Sequence, residues 1–419
     1  MSFSFQNRAQ KVNSFLGRLV FHSQKSEWTD RIDQFSRGFF LLFVAAIPFS
    51  ISVTEIAAGV AGFGLLVHCL MGRNKAFYWD MGFVFSLFAL ASILSATFSL
   101  DPRESFIDSK DLSHILVFYF ALNLTYRMES LDRYLRTLVF VGGVVAVIGL
   151  VQYLGRGIDL QNRISGFNSI YMTYAGLLMV FICQGGTILV AQPGAKRNRW
   201  IWISVVLMVS ALVLSLTRNT WMGLLAGLIV LIVGRNFKIL WILPVVGLVF
   251  FLMVPDGVRN RMVSMVDLQD FSTQERLKLW SSGLYIIKDY PLVGVGQNNF
   301  PKVYPQYRHD DVVEPNISHL HNNVLEIGAE RGLIGLFTWL AIWIFYYIRS
   351  LRILKRFSEH STTERIAVMG SLAGITAFLV GGMFEYNFGD AELHLLIYFL
   401  LAIPFIAEKL SFQPESQLT

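Results

Sequence analysis

SHLHNNVLEIGAERGLIGL, residues 318–336, places His319 and His321 in a polar stretch that runs into an apolar one at Gly332. Imidazoles titrate near neutrality, so two of them at the mouth of a membrane helix are candidates for proton chemistry at a membrane face. Upstream, the polar stretch reaches back to about 257 and is bounded on its far side by another apolar run. Of the 419 residues 54% are hydrophobic and only 15% charged, whereas a soluble domain carries about a quarter charged residues. The chain is therefore expected to be all-α and polytopic, with one long loop that contains helices.

Spans need about 20 mainly apolar residues. Such stretches fall at 36–51, 53–72, 80–100, 112–126, 135–155, 168–191, 200–216, 219–234, 238–256, 333–349, 365–385 and 391–408, about twelve in all. With the N-terminus inside, roughly 22 of the 35 Lys and Arg residues lie in cytoplasmic segments and about 5 in the short outer loops. That bias puts both termini in the cytoplasm and the 257–332 loop outside. The expected divisions are 1–34, a basic cytoplasmic segment without a signal-peptide pattern, then 35–256 with spans one to nine. The loop 257–332, spans ten to twelve over 333–408 and a tail from 409 to 419 complete the chain. The net charge of +6 belongs to this punctuation and implies no nucleic acid. Cys69 and Cys183 both lie in apolar runs, so no disulfide and no cysteine-bound metal is expected.

Within the loop, ERLKLWSSGLYIIKDY (275–290) has apolar residues at helical spacing, with Ser272 or Thr273 available as its cap. PLVGVGQNNF (291–300) follows as a turn. Arg218, in the turn SLTRNTW (215–221), sits at or just within the membrane boundary. Arginines near helix ends often snorkel to headgroups, but a lone one on the outer side runs against the positive-inside bias. Arg276 and, more weakly, Arg163 are outward-facing in the same sense, and each could equally be a solvated surface residue. His321, held at a helix entry near guanidinium groups and uncharged near pH 7, would accept a proton beside a phosphate-binding site. In the outer turn EYNFGDAE (385–392), Asp390 could orient a histidine or an arginine. The outer loops hold no DxD pair and no HExxH, and the chain has no P-loop and no GxSxG. Charges in the middle of spans, which a pump or symporter needs, are nearly absent apart from Glu55 and His68.

These residues resemble the bacterial O-antigen ligase family, in the group that also contains O-antigen polymerases and protein O-oligosaccharyltransferases. The likeness rests on SLTRNTW, on ERLKLW leading into DYPLVGVGQNNF (289–300), and on HNNVLEIGAERGLIG (321–335). The last fits the group's pattern of His, then Asn, Ser or Gln, nine residues, Gly, two residues, and Gly, Thr or Tyr.

The resemblance implies a GT-C-like glycosyltransferase of the inner membrane with a periplasmic active site. Its donor would be a glycan on undecaprenyl pyrophosphate, and its acceptor a hydroxyl of the lipid A core oligosaccharide. It implies no cofactor and no metal, with Arg218, Arg276 and His321 catalytic and an acidic position at Asp390. Arg163, His319, Asn322 and Asp390 are the candidate substrate-binding residues. Two other readings stay open: a polymerase using the same donor, and, from another class, a lipid-linked oligosaccharide transporter.

Overall fold

An apolar chain segment in lipid can satisfy its backbone only as a helix or within a closed barrel. A computed structural model describes residues 18–19, 27–71, 77–157, 163–191, 198–313, 316–357 and 362–412, and their apolar runs are helical. In chain order the helices are α1 (Glu27–Ala46), α2 (Ile51–Leu70), α3 (Gly82–Thr97), α4 (Pro102–Asp108), α5 (Ile115–Leu124), α6 (Met128–Arg156), α7 (Tyr171–Ala191) and α8 (Arg199–Leu214). There follow α9 (Arg218–Asn236), α10 (Leu243–Met253), α11 (Asp256–Val263), α12 (Phe271–Asp289), α13 (Phe300–Val303), α14 (Asn323–Arg356), α15 (Thr362–Gly381) and α16 (Ala391–Phe412). Strand pairing among the described residues is confined to β1 (Arg18–Leu19) against β2 (Phe77–Tyr78).

Each of the twelve expected stretches overlaps one of these helices. Six of them, α2, α6, α7, α14, α15 and α16, are long and apolar enough to cross a membrane; α3, α8 and α10 are apolar but shorter. The expected span 238–256 is divided between a 3-10 turn at Phe237–Ile242 and the eleven residues of α10. At 1.5 Å per residue α10 reaches only about 16 Å, half the hydrocarbon thickness. The stretch 112–126 likewise begins as a 3-10 turn, Ser109–His114, before the ten residues of α5. The boundary expected at residue 34 falls inside α1, and of the expected segment 1–34 the structure describes residues 18–19 and 27–34. Of the tail, α16 takes residues up to 412, with Lys409 buried and donating to the Leu122 and Thr125 carbonyls.

α7 and α16 are buried on nearly all sides and form the centre of the bundle. Helices in lipid gain little from hydrophobicity alone, so close backbone approach matters. α9 supplies it with Gly223 and Gly227. A Cβ on either would lie 2.5 Å from the Ala377 carbonyl oxygen or 2.9 Å from that of Ala373, both on α15.

At one end of the bundle α11, α12 and α13 fold over the spans. Leu279, Ile286, Val295, Phe300, Val303, Tyr304 and Leu320 form their own apolar cluster with Ala329 of α14. The sequence 291–300 is what joins this cap to α14. Gly332 has φ 63° and ψ −174°, which breaks α14 into 323–331 and 333–356. The break frees carbonyls before it and N–H groups after it. Val295 and Gly296 donate to Ala329 and Glu330, while Leu333 and Ile334 donate to Pro291 and Leu292, at 2.8–3.3 Å. A Cβ at Gly332 would meet the Leu292 carbonyl oxygen at 2.3 Å, and one at Gly294 the Glu330 carbonyl oxygen at 2.4 Å. Gln297 and Asn299, both buried, anchor the same turn to Ser92 and Ser105.

Gly332→Ala should therefore cost about 2 kcal/mol or more, from the left-handed backbone and the displaced Leu292 carbonyl together. Thermal unfolding of the detergent-solubilised protein checks this, and an unchanged midpoint would remove Gly332 as the hinge on which the cap is seated.

Candidate active site

α9 starts at Arg218, so its guanidinium emerges where the span meets the cap. Its Nη1 donates to Ser264 O at 2.9 Å, Ser264 Oγ at 3.0 Å and Asp270 Oδ1 at 3.0 Å. Asp270 is also the N-cap of α12, accepting from the Thr273 N–H at 3.2 Å, so the cap is Asp270 and not Ser272 or Thr273. A side-chain oxygen at that position satisfies an otherwise orphaned helix donor. Burial works to raise the Asp270 pKa, but the Arg218 bond and the Thr273 N–H outweigh it and hold the carboxyl below its usual range. One carboxylate thus starts the loop helix and fixes the arginine of the span. Among the described residues, Nε and Nη2 of Arg218 carry no hydrogen bond.

Arg218 lines a cavity of about 350 Å³ together with Arg163, Arg261, Arg276 and His321. Arg163 lies over the Tyr171 ring, 4.4 Å from its centroid. Arg261 donates from Nε to the Leu216 carbonyl at 3.3 Å. Burial, then the neighbouring charges of Arg218 and Arg163, push Arg261 down to about 10. Arg276 is lowered too, by burial first, with Glu385 opposing and Arg218 adding to the effect. Among the described residues the one carboxylate in the lining, Glu275, is turned to Lys278 at 3.1 Å and the Val313 N–H at 3.1 Å. A cavity lined by four guanidinium groups attracts an anion.

His321 is positioned by the two asparagines that follow it. Asn322 caps α14, accepting from Val324 N at 2.9 Å and Leu325 N at 3.1 Å, and donates to the Met383 carbonyl at 2.9 Å. Asn323 donates to Asn387 Oδ1 at 2.7 Å and accepts from Phe388 N at 3.1 Å. Both therefore tie the entry of α14 to the turn 382–388. With φ 49° at His321, the ring Nδ1 lies 2.8 Å from Oε1 of Glu385 in that turn.

Burial alone would raise the Glu385 pKa, but the His321 hydrogen bond and the charges of His321, His319 and Arg276 leave it lowered. Glu385 is thus an anion and can only accept, so Nδ1 carries the hydrogen and the Nε2 lone pair of a neutral His321 is available. This is the arrangement of a general base oriented by a carboxylate. Glu385 also lies 3.8 Å, by its other oxygen, from Nη2 of Arg276.

Of the residues singled out from sequence, Arg163, Arg218, Arg276 and His321 line one cavity. His319 sits behind it, with Nδ1 3.9 Å from Glu385 Oε1, and burial together with the His321 charge pushes its pKa down to about 4. Asn322 serves as a cap outside the lining. Asp390 receives the Thr173 hydroxyl at 2.9 Å, and burial raises its carboxyl to about 7. The acid that orients a histidine is Glu385, five residues earlier in the same turn. Sequence reasoning also passed over Arg261, whose VRNRM surroundings look like any solvated helix.

The O-antigen ligase family model matches residues 203–340, which hold Arg218, Arg261, Arg276 and His321. An uncharacterised protein of Haemophilus influenzae (strain ATCC 51907 / DSM 11121 / KW20 / Rd) is 25% identical over 241 residues, 50% of this chain and 57% of that protein. A relative from Rickettsia bellii (strain RML369-C) is 23% identical over 63% of this chain and 67% of its own length. One from Rickettsia felis (strain ATCC VR-1525 / URRWXCal2) is 22% identical over 76% and 78%. Both rickettsial proteins are provisionally named polysaccharide ligases. The cavity residues Arg218, Arg261, Arg276 and His321 thus lie in a segment similar to the O-antigen ligase domain, and the rickettsial relatives carry a name of the same kind.

Proposed function

We propose that the protein is an O-antigen ligase of the bacterial inner membrane. It transfers a glycan from undecaprenyl pyrophosphate to a hydroxyl of the lipid A core oligosaccharide, on the periplasmic side. The observation that carries this reading is the convergence of four arginines on one cavity with a carboxylate-held histidine. Charge bias in the loops supports a bundle of about twelve GT-C-like spans with both termini cytoplasmic.

The chemistry follows from the donor. Breaking the anomeric C–O bond leaves undecaprenyl pyrophosphate, and negative charge grows on the departing oxygen. Arg218, Arg261 and Arg276 stabilise that charge in a site partly shielded from water, where a fixed cation is worth more than in bulk. The guanidinium groups take the place of a divalent cation at the leaving group, and the activated linkage supplies the driving force without a nucleotide. Nε2 of His321 takes the proton of the acceptor hydroxyl as its oxygen forms the new C–O bond. Attack in line with the departing diphosphate inverts the anomeric carbon. Glu385 is a positioning residue, fixing the ring and stabilising the imidazolium that forms. Both substrates are lipid-tethered, so a site at the membrane face brings their sugars together with little further loss of freedom.

His321→Ala should lower transfer at least about 100-fold while the protein still inserts; ordinary activity rules out the base assignment. Arg218→Lys should lose about tenfold or more, because an ammonium does not reproduce the planar grip on phosphate oxygens, and wild-type transfer by that variant reduces Arg218 to a membrane anchor. Glu385→Gln should lower kcat at least about tenfold, with the donor KM changed by no more than roughly twofold; a loss confined to KM would make Glu385 a donor contact instead. In cells, deletion should leave the lipid A core uncapped with lipid-linked polymer accumulating, whereas single-repeat caps would favour the polymerase reading.

A further inference from the structure

We propose that His319, His321 and Glu385 form a transition-metal site, best suited to Zn²⁺, whose occupation competes with transfer. One donor atom from each of the three lies within 4.8 Å of the others. Nδ1 of His321 and Nδ1 of His319 stand 2.8 Å and 3.9 Å from the same oxygen, Oε1 of Glu385. A tetrahedral zinc with bonds of 2.0–2.2 Å separates its donors by roughly 3.4 Å, a value these distances straddle. Small shifts of the carboxylate and one ring would complete the set.

Two of the donor groups have buried atoms with unused hydrogen-bonding capacity. Nδ1 of His319 and Oε2 of Glu385 are both buried and without a hydrogen-bond partner. Buried polar atoms ordinarily have a hydrogen-bond partner, so an imidazole nitrogen without one, 3.9 Å from the same carboxylate, calls for a ligand. The i, i+2 spacing of the histidines and the left-handed backbone at His321 bring the two rings to 4.3 Å between centroids, facing one acid. Arg276, 3.8 Å from Oε2, opposes a cation and limits its affinity.

Binding changes the tautomer of His321. Zn²⁺ bonds to the Nδ1 lone pair, the single hydrogen of the neutral ring then sits on Nε2, and Glu385 binds the metal instead of the imidazole N–H. His321 then has no lone pair on Nε2 with which to accept a proton. This consequence rests on the base role proposed above; the binding itself does not.

Chelator-treated, detergent-purified protein titrated with Zn²⁺ in a calorimeter should bind one equivalent. His319→Ala and Glu385→Gln should each weaken that binding at least about tenfold, while His309→Ala, a loop histidine bonded to Ser281, leaves it unchanged. Isotherms for the two site variants that match the wild type overturn the site. Co²⁺ needs no variant: the wild-type protein should show the intense visible absorption of four-coordinate cobalt, and only the weak six-coordinate spectrum overturns the geometry. Transfer should fall as Zn²⁺ fills the site and return on adding chelator. Full occupancy with unaltered or increased transfer overturns the competition and the base role of His321, with the binding result still standing on its own.

Discussion

Like charges in a shared cavity repel, and the cap over this bundle exists in large part to hold four of them together. Burial is the main cause that lowers Arg261 to about 10, and the charges of Arg218 and Arg163 add to it through that repulsion. Each guanidinium is restrained by a different device. Arg218 is bound to the cap of α12, Arg261 to a carbonyl at the end of a span, Arg163 lies against an aromatic face, and Arg276 is opposed by Glu385. None of these partners is aimed so as to neutralise the cavity as a whole. An anion entering the cavity would relieve the repulsion, so the free energy stored in folding favours binding of an anion.

Glu385 connects this anion site to the proton acceptor. One oxygen holds His321 and the other faces Arg276, so a single carboxylate sets the spacing between the imidazole and that guanidinium. Its own position depends on Asn322 and Asn323, which bond the start of α14 to the turn carrying it. The break at Gly332 belongs to the same construction. It lets the first nine residues of α14 lie with the cap while the rest runs on into the bundle, and the turn at 291–296 satisfies the backbone groups the break exposes.

Much of this was legible without coordinates. Apolar runs near span length have one solution in lipid, so the helical bundle followed from hydropathy. Arg218 stood out because a lone arginine on the outer side runs against the positive-inside bias, and His321 because of the motif that follows it, while Arg276 was marked by the family resemblance. What stayed hidden depended on contacts between distant segments. Among Glu385, Asp390 and Glu392 nothing in the turn itself marks the residue that faces His321, since that is decided by how α15 and α14 end against each other. Arg261 reads as surface because its neighbours in sequence are polar, and only the packing of α11 over Leu216 turns it inward. Asp270 escaped notice as a cap because Ser272 and Thr273, two and three residues later, are equally good capping types. The stretch 238–256 looked like a full span because composition does not register a 3-10 start.

The central claim is that the departing diphosphate lies among these arginines with the histidine across the sugar from it. An experimentally determined structure with undecaprenyl pyrophosphate bound tests that claim most directly. The account predicts phosphate oxygens within hydrogen-bond distance of Arg218, Arg261 and Arg276, and Nε2 of His321 open toward the sugar position. A diphosphate bound elsewhere, or these arginines and His321 opening into separate compartments, would contradict it.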